Sequence, residues 1–200
     1  MPVVREREGT PQRLVAVVPL KHVAFLRALN VGGHNVVTMD KLRSLFTSLG
    51  LKDVETFIAS GNVLFAPVKG SVSGLERNIE KQLEKALGHE VVTFIRSSAE
   101  VAAIAGYEPF PAKQIARAKS FSVGLVAEPL SAAQRKKVLS LKTDLEDFHV
   151  HGREVYWLSR VGQSDSKFNN TVFERAVTRA TWRGMKTMVK LAHKYGFTAS

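Results

Sequence analysis

The sequence predicts an α+β protein made of two successive units with the same order of elements. Three observations predict it. Short β-rich apolar runs are bounded by turn residues, amphipathic stretches with helix caps lie between them, and the second hundred residues repeat most of the order of the first. The 200 residues are 44% hydrophobic and 24% charged, with 14 Gly and 7 Pro. That composition excludes disordered and collagen-like chains. The length suits one large or two small domains, at about 100–200 residues each.

Residues 22–29 (HVAFLRAL) read as a strand, closed by the turn residues Asn30, Gly32 and Gly33. Thr38 caps a helix to about Leu49, with Asp40 in its first turn and Gly50 as the stop. Residues 54–59 and 63–66 read as two strands joined by Ser60-Gly61-Asn62. Ser73 and Glu76 form a capping box for a helix carrying Leu75, Ile79, Leu83 and Leu87 on one face and closed by Gly88. Residues 91–96 complete a βαββαβ order. The second half opens with another capping box, Ser97 with Glu100, on a linker helix that stops at Gly106 before a Pro-rich joint over 107–111. Residues 119–127 alternate Phe121, Val123 and Leu125 with Ser120, Ser122 and Gly124, the period of a half-buried strand. Ser131 with Gln134 caps a helix to about Leu141, and residues 148–150 and 153–159 form a hairpin across His151-Gly152. The chain then reads as helical from about Lys167 to its end, with no final strand.

This order predicts two ferredoxin-like units, 21–97 and 119–200, joined by a linker over 98–118 and preceded by a tail, 1–20, in which 14–18 form a short extra strand. In such a unit the first two strands run parallel, so the loop at 30–35 and the turn at 60–62 share one edge of the sheet.

The same residues resemble a bacterial family, domain of unknown function 1697. FLRALNVGGHNVVTMDKLRSLFTSLG is similar to its L-R-G-I-N-V-G-G…M…L-R…L-G opening, and TFIASGNVLF to its T-Y-I-Q-S-G-N-V-V-F. Glu108-Pro109-Phe110 is similar to N-P-F, Ser166-Lys167-Phe168 to S-K-L, and Thr181-x-Arg183…Thr187-x-x-Lys190-Leu191 to T-x-R-N-W-x-T-V-x-K-L. The blocks keep their order and spacing from about residue 21 to 195. Ala28 stands where the family has Gly, Gly184 where it has Asn, and Met185 where it has Trp. The resemblance implies an α+β protein of two related units and brings no established activity.

Charge points to a partner class. Lys and Arg number 29 against 18 Asp and Glu, so the net charge is 29 − 18 = +11. Residues 1–100 hold 13 basic and 10 acidic side chains, and residues 101–200 hold 16 and 8, so the surplus lies in the second half. An excess of this kind suits an anionic partner. Arg5, Arg7 and Arg13 before the apolar run at 14–20 imitate a signal peptide, but Glu6, Glu8 and Pro19 intervene and no small-x-small cleavage site follows. No run reaches the roughly 18 apolar residues of a membrane span. With no Cys there is no disulfide or thiolate site, and a cytoplasmic protein without cofactor or membrane contact is expected.

Two sets of residues are candidate binding sites. Arg27, Asn30, Gly32 and Gly33 with Ser60, Gly61 and Asn62 combine glycines that let backbone N–H groups approach a ligand with two directed side-chain donors, a combination suited to a small anion. Lys167, Arg175, Arg179, Arg183, Lys186, Lys190 and Lys194 belong to the C-terminal segment. On an unbroken helix, the six from Arg175 onward span about 100° of arc opposite an apolar face, a ridge able to track a phosphate backbone. The resemblance to the family pattern implies a new helix starting near Thr181, a break that would split that ridge. His149 and His151 lie two apart on a strand but have no third ligand, so no metal site is expected. Tyr156 and Trp157 alternate across the hairpin, one toward a core. No nucleophile or acid–base pair is specified, which leaves catalysis undecided. The leading expectation is a non-catalytic binding protein for an anionic partner, nucleic acid foremost. The alternative is an enzyme or sensor holding a small anionic ligand between the 30–35 and 60–62 loops. The oligomeric state is open.

Overall fold

The strands send alternate side chains into cores on both faces of each sheet, and caps set the helices between them. The computed structural model describes residues 20–29, 37–58, 61–162 and 165–199, so the tail, the extra strand at 14–18, Asn30, Gly32, Gly33 and Ser60 lie outside the described residues. The fold is mixed α+β, with two four-stranded antiparallel sheets and seven helices among the described residues. The first sheet holds β1 (His22–Leu26), β2 (Glu55–Thr56), β3 (Asn62–Phe65) and β4 (Thr93–Ser97), in the order β2-β3-β1-β4. The second holds β5 (Ser120–Leu125), β6 (Glu146–His151), β7 (Glu154–Ser159) and β8 (Thr181–Gly184), in the order β6-β7-β5-β8.

Two helices cover the outer face of the first sheet: α1 (Met39–Ser48) and α2 (Val72–Leu87). Leu42 and Phe46 of α1 and Ile79 and Leu83 of α2 pack on Ala24, Leu26, Val63 and Phe65. The period of two sends the other set of side chains, Val23, Phe25, Leu64 and Phe94, to the opposite face. There they join Val123, Leu125, Tyr156 and Leu158 of the second sheet in one apolar core with α3 (Ser98–Gly106) and α7 (Met185–Lys194). The outer face of the second sheet carries Phe148, Val155 and Trp157 under α5 (Ala132–Leu139) and α6 (Asn170–Ala176). Tyr156 and Trp157 therefore serve different cores, and both are buried.

The caps follow the sequence closely. Thr38 accepts from the Lys41 N–H, Ser97 and Ser131 form reciprocal capping boxes with Glu100 and Gln134, and Gly88 ends α2 at φ 76°. At α2 the cap is Ser71 and the expected box with Glu76 does not form. The Glu76 and Glu80 carboxylates instead accept from the Ile95 and Thr93 N–H groups at 2.8 Å each, satisfying backbone donors of the edge strand β4.

Three further expectations are corrected. The C-terminal segment is not one helix from Lys167: α6 is followed by strand β8 and then α7. The second sheet thus has the final strand that the sequence did not suggest. The hairpin turns at Gly152-Arg153, because His151 already pairs with Glu154. A short helix, α4 (Ala112–Arg117), follows the Pro-rich joint within the linker over 98–118.

Candidate functional site

The register aligns the two sheets residue by residue. Val23 pairs with Leu64 and Arg96 in the first sheet, and Val123 pairs with Tyr156 and Arg183 in the second. Arg96 and Arg183 therefore occupy equivalent places on the last strand of each set, and each crosses to the other sheet. The Arg96 guanidinium donates to the carbonyls of Val126 (2.8 Å) and Arg153 (3.2 Å) and to Glu154 (2.9 Å). Arg183 donates to the carbonyls of Leu26 (3.0 Å) and Gly61 (3.3 Å) and to Asn62 Oδ1 (2.6 Å). By register Leu26 corresponds to Val126, Gly61 to Arg153 and Asn62 to Glu154. The two arginines form reciprocal latches between the sheets.

The latches differ in charge. Arg96 meets the Glu154 carboxylate, whereas Arg183 meets the neutral amide of Asn62. Burial pushes the Arg183 guanidinium down to about 10. Burial also lowers Arg96, but the adjacent Glu154 opposes the shift. Further donors from Arg183 reach Thr181 Oγ1 (2.8 Å) and the Trp182 carbonyl (2.9 Å), and its plane lies 5.7 Å from the Phe25 ring.

The Arg183 latch joins the two sets of residues that the sequence treated as separate sites. Gly61 and Asn62 of the turn and Arg183 of the C-terminal segment are in direct contact, and Arg27 lies just beyond Leu26. Asn62 is fully buried and also donates to the Phe57 carbonyl (3.0 Å). Arg27 makes a two-pronged bridge to Glu174 on α6, both contacts at 2.6 Å. Glu174 accepts in addition from Asn170 (3.1 Å) and the Ala180 N–H (3.2 Å), and Asn170 accepts from the Trp182 indole (3.0 Å). The directed donors expected to hold a small anion are engaged within the fold. Asn30, Gly32, Gly33 and Ser60 fall outside the described residues.

The basic C-terminal residues divide into three groups. Arg183 is buried on β8 rather than on a helix face, which corrects its expected place in the ridge. Arg179 bridges Glu90 at 2.6 Å on the surface, and Arg175 and Lys167 are exposed away from α7. Lys186, Lys190 and Lys194 remain as an exposed row along α7, opposite the buried Met185, Met188 and Leu191. Lys194 also lies 5.6 Å from the Phe57 ring and 5.2 Å from the Tyr195 ring.

His149 and His151 converge on Tyr107 rather than on a metal. His149 Nε2 is 2.9 Å from the Tyr107 hydroxyl, and the His151 ring stacks on Tyr107 at 4.4 Å. Among the described residues no group of three or more His, Cys, Asp or Glu is placed to hold a metal ion, and no helix is long and apolar enough to cross a membrane. Sequence reasoning missed Arg96, Glu154 and Glu174. Their partners lie 58, 58 and 147 residues away, and only the doubling of element order hinted that Arg96 and Arg183 correspond.

Comparison with known proteins agrees with this architecture. A solved structure described as the conserved bacterial protein SP0830 from Streptococcus pneumoniae is similar at a TM-score of 0.65 and 22% identity, over 88% of this chain and 98% of that one. At that identity the likeness shows the fold. A search of curated proteins finds no match. The family model described as protein of unknown function (DUF1697) matches residues 20–156, which include the Arg27 and Gly61-Asn62 segments and the Arg96–Glu154 latch. The chain belongs to the DUF1697 family.

Proposed function

We propose that this protein is a non-catalytic binding protein for an anionic partner, that the partner is nucleic acid, and that the exposed face of α7 engages it. The observation that carries the reading is the row of Lys186, Lys190 and Lys194, exposed at successive intervals of four residues. At 1.5 Å per residue these ammonium-bearing positions recur about every 6 Å along the helix axis. The row sits in a chain of net charge +11 whose surplus is concentrated in the second half. A regular line of cations neutralises successive phosphates and releases their counterions, which makes affinity steeply salt-dependent. The reading also takes the two sheets and their helices as ferredoxin-like units over 21–97 and 119–200, with 98–118 as linker, in a cytoplasmic protein. The shared strand order of the two sheets supports that division.

The competing reading, a small anion held between the 30–35 and 60–62 loops, is less favoured because Arg27 and Asn62 are committed to Glu174, Phe57 and Arg183. The test is binding of labelled RNA and DNA oligonucleotides by the Lys186→Ala, Lys190→Ala, Lys194→Ala triple variant. Arg183 is left intact because it holds the sheets together. The log–log salt slope is expected to flatten by about one unit for each lost phosphate contact. A triple variant with the wild-type affinity and slope would end the proposal.

A further inference from the structure

A cleft of about 640 Å³ lies between the start of β6 and the segment leading into α6. That volume falls within the range of small-molecule sites, roughly 300–1,000 Å³. Leu141, Leu145, Phe168 and Val172 give it apolar walls. Leu145 and Val172 leave 49% and 38% of their surface exposed, so large aliphatic side chains are held in water where a partner would cover them.

The polar part of the lining is built rather than incidental. Glu146 is 8% exposed. Its Oε1 accepts from the hydroxyls of Ser166 (2.7 Å) and Ser159 (3.2 Å), and its Oε2 accepts from the Trp157 indole N–H. Three donors, two on β7 and one on the segment before α6, fix the orientation of one carboxylate in the cleft wall. Ser166-Lys167-Phe168, a motif that the proposed function does not use, supplies both sides of this arrangement. Ser166 holds Glu146, and the Phe168 ring packs 4.8 Å from both Phe148 and Trp157.

The charge of the cleft opposes that of the molecule. Its lining includes the acids Asp144, Glu146 and Asp165 against Lys167, in a chain of net charge +11. We propose that this cleft binds a small organic cation, an amine carried on an apolar body. The ammonium forms charge-assisted hydrogen bonds within the acidic lining, and the apolar body covers Leu145 and Val172. A carboxylate of the same shape meets like charge and is rejected. The site is separate from the α7 row and selects the opposite sign of ligand.

Phenethylamine is the probe, titrated calorimetrically into the full chain, with 2-phenylethanol and phenylacetate as neutral and anionic counterparts of the same shape. The expected result is saturable phenethylamine binding, at least tenfold weaker for 2-phenylethanol and absent for phenylacetate. Val172→Arg, which fills the mouth and places a cation there, is expected to weaken phenethylamine at least tenfold with little change in the unfolding midpoint. Leu145→Arg on the opposite wall serves if Val172→Arg does not fold. Absence of saturable binding at millimolar phenethylamine overturns the proposal. So does equal binding of phenylacetate, or unchanged binding by a folded mouth variant.

Discussion

Replacing the two latch arginines by methionine separates the effects that hold the sheets together. Methionine keeps an apolar stem of similar length at each position and removes the guanidinium. Arg96→Met leaves the Glu154 carboxylate, 12% exposed at its side chain, without its ion-pair partner, a loss of about 3–5 kcal/mol for a buried pair broken on one side. Arg183→Met leaves neutral oxygens behind. The Gly61 carbonyl keeps its bond from the Leu26 N–H and the Leu26 carbonyl keeps only a long one (3.4 Å) from the Thr181 hydroxyl, so Asn62 Oδ1 and the Leu26 carbonyl bear most of the loss, at about 1–3 kcal/mol each. Against that, burial holds Arg183 at about 10 rather than 12.5, which corresponds to about 3 kcal/mol of cost in keeping the charge there. The net loss for Arg183→Met is therefore about −1 to 3 kcal/mol, smaller than for its counterpart. Urea unfolding at pH 7 followed by Trp fluorescence measures both values from the midpoints at common slope. Equal losses, or a larger loss at Arg183, would refute the argument that the charge on the acceptor separates the two latches.

Three other outcomes follow from single residues. Ala28 adopts φ 59°, a left-handed conformation that costs a residue with a Cβ about 1–2 kcal/mol. Ala28→Gly is expected to stabilise by about 0.5–1 kcal/mol after the added chain entropy of glycine, read from the same unfolding curves. Gly184 is the N-cap of α7 and provides no side-chain acceptor, so Gly184→Asn, whose Cβ would meet only Thr187 Oγ1 at 4.0 Å, is expected to raise stability by about a few tenths of a kcal/mol. The His22 imidazole is lowered from 6.5, chiefly by burial, with Glu100 opposing the shift. A lowered histidine folds in its neutral form, so the unfolded chain binds the extra proton and stability falls as pH drops below about 6.5. His22→Leu is expected to shallow that fall in unfolding curves taken from pH 7.5 to 5.5.

The sequence was informative where structure is local. Thr38, Gly88, Ser97 with Glu100 and Ser131 with Gln134 carry their caps within four residues, and all four were legible. Strand β8 was not. Its four residues are too few for a period of two to show, and the spacing of Arg179, Arg183 and Lys186 by four and three imitates a helix face. What makes Thr181–Gly184 a strand is pairing with β5 nearly sixty residues earlier and the burial of Arg183 against Asn62, 121 residues away. The same long-range contacts turned the directed donors of the two-loop site inward. Glu146 carries no local signal of its role, because its place in the cleft depends on Ser166, twenty residues on. Lys186, Lys190 and Lys194 lie exposed along α7, but the ridge expected around them is interrupted by β8.

On the proposed function, α7 and not net charge alone engages nucleic acid. Two triple variants with the same net charge decide it: Lys186→Ala, Lys190→Ala, Lys194→Ala on α7, and Lys113→Ala, Lys136→Ala, Lys137→Ala on exposed positions elsewhere. Each lowers +11 by three, to 11 − 3 = +8. Fluorescence anisotropy of labelled RNA and DNA oligonucleotides between low and physiological salt gives the affinity and salt slope of each. The α7 variant is expected to lose both affinity and slope while the other variant stays close to wild type. Equal losses in the two variants, or no binding by the wild-type protein at low salt, would contradict it.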